Sequence, residues 1–190
     1  MKNVLLLNAD LYESQTTEYL ISAYERGAQS AGHSCRRLPI GKMVFNPNSQ
    51  FRNRTNAQAE PDLEKALKAL QWAQHIVVFC PVFEHYIPTK VNGFFDCLFG
   101  SESIFFQNNQ HLRSNFYGKS ARIVSILDQK LFELWLRDGN SNFMTIKKSR
   151  FERCLINPVY SNTLGELHKI NNKYSEKWML KMEKFGQQAL

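Results

Sequence analysis

Two short runs of purely apolar residues, Val4-Leu5-Leu6-Leu7 and Ile76-Val77-Val78-Phe79-Cys80, constrain this chain most, because neither alternates with polar residues. A strand without alternation must be covered on both faces. Parallel sheets flanked by helices on both sides meet that demand, and each run here is followed by a loop and then by a segment with helical spacing. In an open sheet of this kind, ligands sit beyond the carboxyl ends of the strands, where the chain order reverses. The loops Asn8–Thr17 and Pro81–Pro88 are therefore the expected site.

The remainder of the chain repeats the strand and helix rhythm. Leu20, Tyr24, Gly27, Ala28 and Ala31 recur at the helical period, and Gly32 closes a first helix over 15–31. A more polar second strand, 33–38, suits an edge position and ends at Pro39-Ile40-Gly41. Residues 42–60 lack periodicity and read as a long loop. Pro61 suits the first position of a second helix, Asp62 and Glu64 sit near the positive end of its dipole, and Leu63, Ala66, Leu67 and Leu70 form its apolar stripe. After the strand at Ile76, Pro88 opens a third helix that packs through Val91, Phe94, Phe95 and Leu98. Residues 100–117 form an excursion rich in Asn, Gln and Phe. Strand four is expected over 121–127, followed by a loop from Asp128 and a helical region through Cys154. Strand five is expected over 157–163, and the last helix carries Tyr174, Trp178, Met182 and Phe185 on one stripe. Five strands alternating with five helical segments predict one doubly wound α/β domain over 1–190. Right-handed crossovers give the order 2-1-3-4-5, with the reversal between strands one and three.

Composition narrows the function classes. With 190 residues and 43 % hydrophobic content the chain can bury one good core. The amino end carries only four strongly apolar residues in a row, and no stretch is long enough to span a bilayer, so a cytoplasmic protein without membrane insertion is expected. The four cysteines show no C-x-x-C spacing and read as reduced, with Cys80 and Cys97 in the core. His111 and His168 lack ligand spacing, and no metal is expected. The net charge of +7 is spread along the chain without a basic stripe interleaved with aromatics, so nucleic acid is not an expected partner.

The first loop has neither the dinucleotide fingerprint nor a P-loop. It offers Ser14, Thr16 and Thr17 at the start of a helix, where unpaired N–H groups and the helix dipole suit one phosphate. Equally, Ser14 can serve only as the helix cap. In the second loop Pro81 and Pro88 stiffen an apolar, aromatic turn that a flat heteroaromatic ring could occupy.

These residues resemble a known family. Asn3–Asn8, Ser14, Thr16-Thr17, Gly27 and Ala31-Gly32-His33 are similar to the opening of the flavodoxin-like NAD(P)H:quinone oxidoreductases. Pro81, Pro88, Gly93 and Asp96 fall in register with their P-L-Y-W, P-A and K-G-W-x-D stretch. Gly118-Lys119 matches their G-K-x-A, and Cys154, Pro158 and Gly165 match a later segment. The resemblance implies a flavodoxin-like fold, FMN or FAD as cofactor, NAD(P)H as reductant, a quinone, nitro or azo compound as acceptor, and a homodimer. It implies that Ser14, Thr16 and Thr17 hold the flavin phosphate. Pro81, Val82, Phe83 and Glu84 would run along the isoalloxazine edge, and Asp128 and Gln129 would form a third flavin-facing loop. Two-electron hydride transfer in two half-reactions would follow. His85 and Tyr86 are candidate proton donors to a departing hydroquinone, or else contacts to a neighbouring subunit. Trp135 is a core aromatic or a cover for the ring. Glu84 stands where the family usually has Trp, Asn92 where it has Lys and Leu155 where it has Gly. Asp128-Gln129-Lys130 replaces a small, Gly-containing loop. Those departures keep open a second reading, a regulatory protein of the same fold that docks on a partner and binds flavin weakly or not at all.

Overall fold

The computed structural model describes residues 1–48, 60–82, 87–99, 116–138, 150–165 and 172–189. The two apolar runs form the middle of a five-stranded parallel sheet. β1 (Asn3–Asn8) lies between β2 (Ser34–Pro39) and β3 (His75–Val82), with Leu5 opposite Arg36 on one side and Ile76 on the other. β4 (Ser120–Leu127) and β5 (Val159–Gly165) complete the order β2-β1-β3-β4-β5. This is the expected fold and strand order. β3 and β4 are buried along their whole length, whereas the edge strands β2 and β5 expose residues such as Arg36 and Tyr160.

Helices cover both faces, as continuous apolar strands require. α1 (Gln15–Ser30) and the last helix, α5 (Asn172–Gln188), pack on Val4, Leu6, Val77, Phe79, Val124 and Ile126. α2 (Pro61–Trp72) and α3 (Thr89–Phe99) pack on Leu5, Leu7, Ile76, Val78 and Ile123. Phe132 and Trp135 of α4 (Gln129–Asp138) stack on each other at 5.9 Å and lie against this second core. A buried amine supports the joint between α2 and the sheet. Lys119 Nζ donates to the Gln71 carbonyl at 2.8 Å and also to the carbonyl of Ala73, closing the helix where its last carbonyls lack partners.

α1 and α5 touch backbone to backbone. A Cβ at Gly27 would lie 2.0 Å from the Glu183 carbonyl oxygen, and one at Gly186 would lie 2.0 Å from that of Tyr24. Glycine at both positions is what lets the two helices meet at this distance.

Two strands differ from the sequence reading by two residues at a boundary. β3 continues through Pro81 and Val82, two residues expected in the loop, which pair with Ile126 and Leu127 of β4. The Phe79 carbonyl faces β1, where it accepts from Ala9 N–H at 2.9 Å, so strand alternation turns the imide nitrogen of Pro81 to the same side, beyond the end of β1. β1 pairs with β3 only as far as Asn8, so the missing N–H of Pro81 falls past the last pair of that ladder, and proline is tolerated at such a position. β5 begins at Val159 rather than residue 157, because ladder pairing with Ala121 starts only after Pro158. The helical region expected through Cys154 contains α4 and a 3-10 turn, Glu152–Cys154, while residues 139–149 and most of the 100–117 excursion lie outside the described residues.

Leu155 ends that turn in the left-handed region at φ 63°, its N–H donating to the Glu152 carbonyl at 3.1 Å. This is the position where the resembled family has glycine. A leucine held there costs about 1 kcal/mol, and its side chain is half exposed. Leu155→Gly is expected to raise stability by about 0.5 kcal/mol after the added chain entropy of glycine is subtracted. Urea unfolding checks this, since a loss of stability would show that packing of the leucine outweighs its backbone strain.

All four cysteines are free thiols, and burial pushes Cys80 up to about 12. Among the described residues no helix is long and apolar enough to cross a membrane, and no group of three or more His, Cys, Asp and Glu could hold a metal ion.

Candidate functional site

The carboxyl ends of β1, β3 and β4 lie side by side, with Asn8 opposite Phe79 and Val82 opposite Leu127. The loops expected to form the site therefore leave from three neighbouring strands at the carboxyl end of the sheet, around the reversal between β1 and β3.

The first loop is ordered by its own side chains. Asn8 Oδ1 accepts from Asp10 N–H at 2.9 Å, which turns the chain sharply at the end of β1. Asp10, only 3 % exposed, then gathers the donors of the loop. Tyr12 N–H donates to Oδ1 at 2.8 Å, while Ser14 N–H at 2.9 Å and the Ser14 hydroxyl at 2.5 Å donate to Oδ2. Ser14 is the N-cap of α1, its Oγ accepting from Thr17 N–H at 3.3 Å and lying 2.9 Å from Thr17 Oγ1. Burial works against a charge on Asp10, but the Ser14 hydroxyl, Tyr12 N–H, the Thr17 hydroxyl and Ser14 N–H together outweigh it and hold the carboxyl below its usual range. Asp10 is thus an anion inside the loop.

This arrangement bears on each residue assigned to the phosphate. Ser14 caps the helix and donates its hydroxyl proton to Asp10, so both of its functions are engaged within the loop. Thr16 and Thr17 are buried. The donor set suits an anion, since it already holds one. It does not suit two, because a phosphate about 4 Å from the Asp10 carboxylate meets a repulsion of about 4 kcal/mol per unit charge at the effective dielectric near a protein surface. FMN or FAD therefore fits these residues only in place of the Asp10 carboxylate, not beside it. Asp10 carries no role in the sequence reading; the signal was an Asp ahead of Ser at i+4 and Thr-Thr beyond.

The loop is braced from the β2 side. Glu13, at φ 53°, pairs with Lys42 at 2.8 Å. Gly41 lies so close that a Cβ there would sit 3.2 Å from the Asp10 carbonyl oxygen, and Lys90 of α3 donates to the Gly41 carbonyl at 2.7 Å. Between α1 and the end of β2 a cavity of about 320 Å³ opens, lined by Leu6, Asn8, Ser14, Arg37, Pro39 and Lys42. Its cations are already paired, Lys42 with Glu13 and Arg37 with Glu18 and Glu25.

Of the second loop, Pro81 and Val82 lie at the buried end of β3, while Phe83, Glu84, His85 and Tyr86 lie outside the described residues. Asp128 follows β4, and its carbonyl accepts from Phe132 N–H at 2.9 Å, so it heads α4. Gln129 is the first residue of that helix.

The family model for the flavodoxin-like fold matches residues 2–170, most of the chain. The chain belongs to the flavodoxin-like fold family. This flavodoxin-like protein is similar to Smu.1420 from Streptococcus mutans UA159 at 18 % identity, with a TM-score of 0.74 over 98 % of this chain and 99 % of that one. It is similar to an NAD(P)H:quinone oxidoreductase from Methanothermobacter marburgensis at 14 % identity and a TM-score of 0.71, covering 98 % and 95 % of the two chains. It is also similar to an FMN-dependent NADH-azoreductase from Bacillus anthracis str. Ames Ancestor, solved with FMN, at 10 % identity and a TM-score of 0.65 over 99 % of both chains. At these identities the likeness establishes the flavodoxin-like fold. No curated protein matches the sequence.

Proposed function

We propose that this flavodoxin-like protein is a flavin-dependent NAD(P)H oxidoreductase that passes two electrons to a small quinone, nitro or azo acceptor. The observation that carries the reading is the convergence of three loop origins, after Asn8, Val82 and Leu127, at the reversal point of the sheet. Whole-length similarity to proteins named as quinone and azo reductases supports it. The bound flavin, FMN or FAD, supplies the hydride chemistry. The chain's part is to position and to protonate. Pro81 and Val82 end β3 and Asp128 and Gln129 border the third loop, and the roles assigned to the residues between are flavin contact for Phe83 and Glu84 and proton donation to the reduced acceptor for His85 and Tyr86. The protein works as a cytoplasmic homodimer.

Purified protein titrated with FMN and with FAD should develop the flavin absorption bands, and anaerobic NADPH or NADH should bleach them. A protein that gains no bands with either flavin has lost this function. The second reading, a regulatory protein that docks on a partner with little or no flavin, is favoured by one observation: the Asp10 carboxylate already fills the loop's donors.

A further inference from the structure

We propose that Asp10 is a built-in occupant of the flavin-phosphate position, so that the phosphate gains nothing from this loop unless the carboxylate leaves it, and flavin is held as an exchangeable ligand. The proposal rests on the reading of the α1 loop as the phosphate site. It goes beyond that reading in assigning Asp10, a residue of this chain, as the competitor.

Three features make the occupation specific. First, the two carboxylate oxygens divide the donors, Oδ1 taking Tyr12 N–H and Oδ2 taking the N–H and hydroxyl of Ser14. Second, Asp10 is almost wholly buried, so its charge is compensated by these donors rather than by bulk water, and the exchange of one anion for another is the move that keeps them satisfied. Third, the Ser14 hydroxyl has one proton. While it points to Asp10, the lone pairs of Ser14 Oγ face Thr17 N–H, and a phosphate approaching this oxygen meets no donor. Removing the carboxylate frees two N–H groups and one O–H together.

The test compares FMN with riboflavin, which has the same ring and no phosphate, on the wild-type protein and on Asp10→Ala and Asp10→Asn. In the wild type the two ligands should bind with affinities within about threefold of each other. In Asp10→Ala, FMN should bind roughly tenfold more tightly than in the wild type, while riboflavin is unchanged. Inorganic phosphate should shift the Tyr12 and Ser14 amide resonances in Asp10→Ala and leave them in place in the wild type. Asp10→Asn keeps the side-chain volume and one acceptor oxygen while losing the charge and the second acceptor, so its FMN affinity should fall between those of the wild type and Asp10→Ala. A wild-type preference for FMN over riboflavin of tenfold or more overturns the proposal even if neither variant folds, as does an Asp10→Ala protein whose amides ignore phosphate. Failure of every form to bind either flavin removes the oxidoreductase reading instead, and the phosphate-induced shifts still decide the role of Asp10.

Discussion

Gly186→Val should lower stability by about 3 kcal/mol or more, a drop in Tm of roughly 10 °C for a chain of this length. The added Cβ would lie 2.0 Å from the Tyr24 carbonyl oxygen and 2.7 Å from the Ala28 nitrogen, both fixed atoms of the α1 backbone. Ordinary contact requires more than 1 Å of separation. α5 cannot give that distance without withdrawing Met182 and Phe185 from the core they share with Leu20, Ile21 and Tyr24. Gly186→Ala recovers about 1 kcal/mol of helix propensity and should cost less than valine, though it meets the same atoms. Gln187→Ala, one residue on and exposed, should be close to neutral. Urea unfolding monitored by circular dichroism orders the three. A valine variant within 1 kcal/mol of wild type would mean that the two helices do not touch.

Acid should destabilise the protein through a residue far from the site. His75 is fully buried at the start of β3, with Nδ1 2.7 Å from Ser120 Oγ and the ring stacked on Tyr24 at 6.4 Å. Nε2 has no hydrogen-bond partner among the described residues. Burial, with repulsion from Lys2, Arg122 and His33, pushes its pKa down to about 3 from an ordinary 6.5. Between those two values the unfolded chain binds a proton that the folded protein refuses. Stability is therefore complete above pH 6.5 and falls as pH drops toward 3, by about 1.4 kcal/mol for each pH unit. Asp10 contributes in the same direction at lower pH, because its depressed carboxyl must be protonated for its bonds to fail. Subtracting the stability–pH curve of His75→Gln from that of the wild type isolates the histidine. A difference that stays flat from pH 6.5 to 4 would show that the imidazole is accommodated with its charge.

Strand order was legible in the sequence, since Val4–Leu7 and Ile76–Cys80 are too apolar to be anything but covered on both faces, and right-handed connections leave few topologies. The extension of β3 through Pro81 was not, because what permits a proline there is the earlier ending of its neighbour β1, a fact of register rather than of local pattern. Likewise, the hydroxyls of the first loop were visible, but not that an aspartate four residues ahead of Ser14 claims them. Periodicity reports which face of an element is buried; it is silent on bonds from a side chain to the backbone of its own loop, which depend on single dihedrals such as that of Glu13. The close approach of α1 and α5 at Gly27 and Gly186 lies beyond sequence reading for a related reason. Each glycine alone reads as a weak helix former, and its purpose appears only when the backbone it faces, distant along the chain, is known.

The bracing of the first loop gives any rearrangement there a direction. Gly41 stands behind the Asp10 carbonyl, where a methyl group would sit only 3.2 Å from the oxygen, and Lys90 ties Gly41 to α3. Movement of that carbonyl into Gly41 is opposed by a segment that α3 itself holds in place. A loop with such a backstop rearranges away from Gly41 rather than into it, so departure of the resident carboxylate and entry of a guest are tied to the same displacement.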